Sequence, residues 1–184
     1  MVGIDDSRPF KSVNISLVTI SDTRTLENDK SGDTLEKKIK LAGHNCYGRN
    51  LVKDNINEIK SLLESLIENQ EIDVVITTGG TGITGRDLTP EVFKDILEKE
   101  IPGFGELFRW ISYKKISTST IQSRALGGVA KGTYLFSLPG SVGACKDAWD
   151  EILVHQLDYS HKPCNFVEIM PRLLERGVGR SGKS

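Results

Sequence analysis

Apolar residues fall in two rhythms along the chain. Val13, Ile15, Leu17, Val18 and Ile20 pack densely into eight residues, with β-branched types dominant, and predict a strand. A polar stretch, residues 21–30, follows. Leu35, Ile39 and Ala42 then share one helical face that Gly43 closes, and residues 47–52 read as a weaker strand. Asn55 with Glu58 three residues on forms a capping-box start, and Ile56, Ile59, Leu62, Leu63, Leu66 and Ile67 continue as a single helical stripe. Residues 73–78 form a short apolar run of the kind a parallel sheet buries on both faces. The order so far is β-α-β-α-β. Beyond a glycine-rich segment, Thr89 as cap and Pro90 at the first helical position predict a helix with Val92, Phe93, Ile96 and Leu97 inward, ended by Pro102 and Gly103.

Residues 105–113 read as a helix with Leu107, Phe108 and Ile111 apolar, and residues 118–124 as a further short one. Residues 127–132 lead into 133–138 as a short strand turning into a longer one, which adds an antiparallel edge. Ser141 then caps a helix whose inner face is Val142, Cys145, Trp149, Ile152 and Leu153. The fold class expected is α/β: a single three-layer domain over residues 12–174, its mostly parallel sheet covered by helices on both faces and carrying an antiparallel edge strand. Residues 1–11 and 175–184 are polar and aperiodic and are expected to be flexible arms.

Composition narrows the functional classes. The 184 residues carry 24 Lys and Arg against 25 Asp and Glu, a net charge of −1, which argues against a nucleic-acid or membrane-surface binder relying on bulk positive charge. No apolar leader precedes residue 13 and no stretch is long enough to span a membrane. Cys46, Cys145 and Cys164 are too few and too scattered for a disulfide framework or a metal-type pair. A cytoplasmic protein is expected. Glycine is the one excess: 18 residues, where average usage predicts about 13.

Parallel sheets bind ligands beyond the carboxyl ends of their strands, so the segments after the strands are where chemistry is sought. Gly79, Gly80, Gly82 and Gly85 follow the third strand, interleaved with Thr81 and Thr84. Glycines there let backbone N–H groups turn inward on a phosphate, although a bare strand-to-helix turn would also use them. Asp54, after the second strand, and Asp87 would face the same crevice. Two carboxylates repel phosphates unless Mg²⁺ stands between them, and that ion takes one or two carboxylates together with phosphate oxygens. Each Asp alone also suits a helix cap or turn.

Ser141 can serve as a plain cap or offer its hydroxyl and N–H groups to an anion. Arg86 and Arg124 could clamp an anion or lie solvated on the surface. Residues 117–124 are rich in hydroxyls, fitting either a polar ligand wall or a weak helix. Residues 177–184 match the P-loop pattern G-x-x-x-x-G-K-[ST] letter for letter, but no strand precedes them and no helix follows, so a phosphate role is refused. His161 and Cys164 lack the second pair a metal site needs, and His44 and His155 read as ordinary surface or partly buried residues.

Residues 77–91, with Ser21-Asp22-Thr23, Asp29 to Gly32, Pro102 to Glu106, Ser119 to Arg124 and Leu138 to Ser141 in the same order, resemble the molybdenum cofactor biosynthesis family that includes MoaB, MogA and the G domain of gephyrin. The likeness runs from about Val13 to Phe166, and the N-terminal arm, residues 117–124 and residues 162–166 are most similar to the MoaB branch. The resemblance implies a trimer, or a hexamer in that branch. It also implies transfer of AMP from Mg-ATP to the terminal phosphate of molybdopterin, with release of pyrophosphate, ahead of molybdate or tungstate insertion by a partner protein of the pathway. Matched residue by residue, Asp54 and Asp87 would manage Mg²⁺ and the nucleotide phosphates, and Gly79, Gly80, Thr81 and Gly82 would cradle phosphate. Ser21, Asp22, Asp29, Ser31, Arg124, Pro139, Gly140 and Ser141 would line the pterin and phosphate pocket. Some relatives depart from the acidic pair and bind without catalysing; this chain keeps both carboxylates. The alternative is a non-catalytic molybdopterin-binding or scaffold protein. For the oligomer, Phe104, Phe108 and Trp110 are the expected apolar surface.

Overall fold

The computed structural model describes residues 3–175. Six strands form one sheet in the order β3 (Asn45–Val52), β2 (Asn14–Ile20), β4 (Val74–Thr78), β7 (Thr133–Leu138), β6 (Leu126–Ala130) and β5 (Lys99–Glu100). The first four run parallel, and β6 and β5 add two antiparallel strands at one edge. The expected antiparallel edge is thus present, with one strand more than the single one the sequence suggested. β2 has β3 on one side and β4 on the other, so the chain reverses its winding there and opens a crevice at the carboxyl ends.

Strand alternation divides the core in two. Ile15 and Leu17 of β2, Val74 and Ile76 of β4, and Phe136 and Leu138 of β7 face one side, where α1 (Lys30–Leu41), α4 (Pro102–Ile116) and α5 (Val142–Ala148) bring Leu35, Ile39, Phe108 and Cys145. Val18, Val75 and Leu135 face the other side, against Ile59 and Leu63 of α2 (Ile56–Glu68) and Val92 and Phe93 of α3 (Thr89–Ile96). Burial on both faces is why these strands read as dense apolar runs interrupted only by small hydroxyl residues, themselves buried. Past α5 the chain continues through a π-helical turn, Trp149–Leu153, and α6 (Val154–Gln156). The turn places the Trp149 side chain fully in the first core layer.

Three local expectations change. Pro102 does not end α3, which stops at Ile96; it opens α4, where its missing N–H costs nothing in the first turn. Thr89 does not cap α3 with its side chain, because its hydroxyl donates to the Gly79 carbonyl at 3.0 Å. Phe104 and Phe108 do not offer a surface: both are buried between α4 and the sheet, and of the expected trio only Trp110 stands in solvent.

The described part of the N-terminal arm is tied down. β1 (Gly3–Ile4) pairs antiparallel with β8 (His161–Lys162), Asp5 accepts from Lys162 at 2.5 Å, and Arg8 reaches Glu168 of α7 (Phe166–Ile169) at 3.1 Å. Ion pairs between residues far apart in sequence have no local signature, so the segment reads as aperiodic. The P-loop-like stretch, 177–184, lies outside the described residues. No helix among those described is long and apolar enough to cross a membrane.

Candidate active site

A cleft of about 470 Å³ opens at the carboxyl ends of β4 and β7. The segment after β4 forms its floor with Gly79, Gly80, Thr81, Gly82 and Asp87, and the corner after β7 forms one wall with Pro139, Gly140 and Ser141. Eight of the residues expected from sequence therefore meet in a single cavity. Gly79 and Gly80 take φ of +107° and +63°, and a Cβ on Gly79 would stand 2.2 Å from the Ile20 carbonyl oxygen. Only glycine lets β4 turn there while staying packed on β2.

The two carboxylates lean on this nest from behind and beside. Asp54 Oδ1 is buried without a hydrogen-bond partner among the described residues, and it would lie 2.7 Å from a Cβ on Gly80. Burial first, then the charges of Asp22 and Asp87, push the Asp54 pKa up. Asp87 behaves oppositely. Burial alone would raise it, but the Thr84 hydroxyl at 2.6 Å, the Thr84 N–H at 2.9 Å, the Gly82 N–H and the Arg124 charge hold it below the ordinary carboxylate value. Two neighbouring carboxylates thus differ: Asp87 is satisfied by its loop, and Asp54 keeps one oxygen idle. An idle, buried acceptor against a phosphate-type nest fits a cation. Among the described residues no group of three or more His, Cys, Asp or Glu could hold a metal ion, so an ion at Asp54 and Asp87 would need ligand oxygens from elsewhere.

Other expected residues sit outside the cleft wall. Asp29 is fully buried as the cap of α1, where it accepts from Thr19 Oγ1 at 2.5 Å, the Gly32 N–H at 3.0 Å, Arg49 at 3.2 Å and Arg24 at 3.3 Å. Burial would raise its pKa, but those donors keep it below the ordinary value. Ser31 is buried too, behind the corner, donating to the Gly140 carbonyl at 2.8 Å. Ser21 caps its own turn by accepting from the N–H groups of Thr23 and Arg24, and Asp22 is exposed, pairing with Arg86 at 3.5 Å. Arg124 does not reach into the cavity. Its guanidinium donates to the carbonyls of Gly82 (2.7 Å) and Asp87 (2.6 Å) and pairs with Glu91, so it clamps the glycine loop from the far side.

Of the opposite wall, sequence reasoning offered the hydroxyl-rich run as one of two readings and missed the part that α4 supplies. Phe108, Ser112 and Ile116 of α4, Ser119 and Gln122 of the following 3₁₀ turn (Ser117–Gln122), and Ser123 just after it line the cleft. The hydroxyl-rich run is therefore both of the things it suggested, a weak helix and a polar wall. Arg24, which joins Asp29 and Ser31 to Gly140, was missed as well, and no local pattern marks it. Cys145 lies under the corner at 3.2 Å from Thr78 Oγ1, and burial pushes its thiol up to about 11, so it supplies no thiolate. His44 is more buried than expected: its Nδ1 accepts from the Val13 N–H at 3.3 Å, and burial lowers its pKa, against an opposing pull from Asp158.

Comparisons with known proteins bear on the same region. Residues 16–159 match the family described as a probable molybdopterin binding domain. Molybdenum cofactor biosynthesis protein B of Escherichia coli K12 is 41% identical over 160 residues, spanning 87% of this chain and 94% of that protein. A protein of Methanocaldococcus jannaschii named probable molybdopterin adenylyltransferase is 39% identical over 146 residues, 76% of this chain and 86% of its own. A crystal structure of a molybdenum cofactor biosynthesis protein B, 45% identical, superposes with a TM-score of 0.79 over 82% of this chain and 94% of that one.

Proposed function

Because the chain belongs to the family of molybdopterin-binding domains of molybdenum cofactor biosynthesis, we propose that it binds molybdopterin and ATP in the cleft between the glycine nest and the Pro139–Ser141 corner and transfers AMP to the pterin phosphate. One bond forms, between a terminal phosphate oxygen of molybdopterin and the α-phosphorus of ATP. One breaks, between that phosphorus and the bridging oxygen, whose electron pair leaves with pyrophosphate. The attacking phosphate is already ionised, so no general base is required, and the work left to the protein is alignment and control of charge. A cleft with a backbone nest, Asp87 in its lining, Asp54 behind the nest and no activated thiol suits that division.

The single observation that carries the reading is the idle, buried Oδ1 of Asp54 beside Gly80, opposite an Asp87 that its own loop fixes. Asp54 and Asp87 are the groups that would hold Mg²⁺, which when bound would neutralise the phosphates. The glycine nest would receive phosphate oxygens, and the hydroxyl wall of residues 119–123 would meet polar edges of a ligand. Asp54, Asp87, Gly79, Gly80, Thr81, Gly82, Pro139, Gly140 and Ser141 form the working set; Asp29, Ser31 and Arg124 support it from behind.

The setting we assign is cytoplasmic, with handover to the pathway's molybdenum-insertion protein. A homo-oligomer is supported by the apolar residues Leu107, Trp110 and Tyr113, which α4 leaves exposed. The test is direct: incubate the purified protein with molybdopterin, ATP and Mg²⁺ and look for the adenylylated pterin by mass. Its appearance supports transfer. Pterin binding with no such product, whichever divalent ion is supplied, would establish the non-catalytic role instead.

A further inference from the structure

The Gly140 carbonyl is held twice on the side away from the cleft. Arg24 donates to it at 2.9 Å and Ser31 at 2.8 Å, and Arg24 also donates to Ser31 Oγ at 3.0 Å. Arg24 in turn pairs with Asp29, which Thr19, Gly32 and Arg49 hold rigidly at the start of α1. The Gly140–Ser141 bond is not among the cis peptides, so its C=O and N–H point in opposite directions. Fixing the carbonyl toward Arg24 and Ser31 therefore turns the Ser141 N–H away from them. Among the described residues that N–H has no acceptor, although Ser141 lines the cleft and its hydroxyl is already engaged with the Ala144 N–H. Gly140 itself stacks on the nest, since a Cβ there would lie 3.3 Å from Gly79 Cα.

We propose that Arg24 is a positioning residue of the cleft: with Ser31, it orients the Gly140–Ser141 peptide so that the Ser141 N–H is presented to an anionic oxygen of the ligand. The proposal rests on the phosphate-binding part of the function given above but not on adenylyl transfer. Three features set it apart from a merely structural ion pair. The guanidinium fork reaches a carboxylate, a hydroxyl and a carbonyl on two elements far apart in sequence. Ser31 is fully buried and cannot touch a ligand, so removing its hydroxyl acts only through what it holds, the Gly140 carbonyl and Arg24. Asp29 keeps Thr19, Gly32 and Arg49 when Arg24 is replaced, so the start of α1 stays capped.

The experiment follows the Ser141 backbone amide by nitrogen-proton correlation spectroscopy in the full-length chain, titrated with magnesium pyrophosphate. In the wild type the Ser141 amide should move downfield on saturation. In Ser31→Ala and Arg24→Gln the apparent Kd should rise about tenfold, the cost of a misdirected charge-assisted hydrogen bond. Arg24→Lys, which keeps one donor, should lie between. Unfolding midpoints should not rank the variants in the same order. A Ser141 amide that stays still in the wild type overturns the proposal, as does wild-type affinity in both variants. A loss in Arg24→Gln with none in Ser31→Ala overturns it too, because Arg24 would then be acting directly on the ligand. Adenylyl transfer is assayed on the same samples. A wild type that shows the amide response but forms no adenylylated pterin refutes the enzyme reading and leaves the positioning role standing.

Discussion

Replacing Asp54 by Asn separates what the carboxylate costs the empty fold from what it does for a ligand. The substitution keeps the side-chain shape and removes a charge whose Oδ1 is buried without a partner and whose pKa burial, Asp22 and Asp87 all raise. With the folded value above the unfolded one, the native state binds more protons between the two, so stability falls as pH rises through that window. The penalty is fully present once the pH stands above the folded value. Leaving a buried acceptor unsatisfied costs about 1–3 kcal/mol, and the low end applies because the rest of the side chain meets solvent and the Asn carbonyl inherits part of the cost. A gain of about 1 kcal/mol corresponds to roughly 2–4 °C in a chain of this size. Thermal melts at pH 7 without nucleotide should therefore place Asp54→Asn above the wild type by that amount. With Mg-ATP at about 100 times its Kd the wild type should gain about 2.7 kcal/mol, and the variant little or nothing. A variant that melts below the wild type when empty, or that keeps the full Mg-ATP gain, would refute the assignment of Asp54 as an idle cation ligand.

Gly79→Ala forces a Cβ to 2.2 Å from the Ile20 carbonyl at a φ of +107°; the loss should be about 3 kcal/mol or more, read in denaturant unfolding, and a neutral result would mean that the nest is not built as described. His44 has its pKa lowered by burial, so the unfolded chain takes up a proton first as pH falls below about 6.5 and stability drops there. His44→Gln should flatten the decline in melting temperature between pH 7 and pH 5; an unchanged slope would place the acid sensitivity elsewhere. Trp110→Glu puts a charge among the exposed apolar residues of α4 and should lower the mass measured by light scattering, whereas an unchanged mass would move the oligomer contact off this helix.

The parts of the fold that were legible in sequence are those specified locally. β2 and β4 announce themselves because burial on both faces demands runs rich in β-branched apolar residues, interrupted only by small polar ones such as Ser16 and Thr19, and α2 because its cap and stripe lie within one segment. The nest was legible for the same reason: Gly79, Gly80, Gly82, Thr81 and Asp87 come from one loop, although Gly85, expected with them, lies outside the cleft. Residues whose roles depend on distant partners were not. Arg124 reads as a free cation, yet carbonyls 42 and 37 positions away consume its donors. Asp29 and Ser31 sit in a recognisable motif, but only the packing of α1 against the β7 corner turns them inward. Pro102 gives the same letter for the end of one helix and the start of another, and the two-residue β5 between them has no periodicity to read. Phe104 and Phe108 lie on a helix whose buried side is set by Phe136 and its neighbours on the sheet.

The central claim, that this cleft joins AMP to molybdopterin, is tested most directly by the stoichiometry of pyrophosphate release. With Mg-ATP alone the protein should release neither pyrophosphate nor phosphate. Added molybdopterin should release one pyrophosphate for each adenylylated pterin formed, and Asp54→Asn should lose that release while retaining pterin binding. Pterin-independent hydrolysis of ATP, or pterin binding with no pyrophosphate at all, would contradict the account.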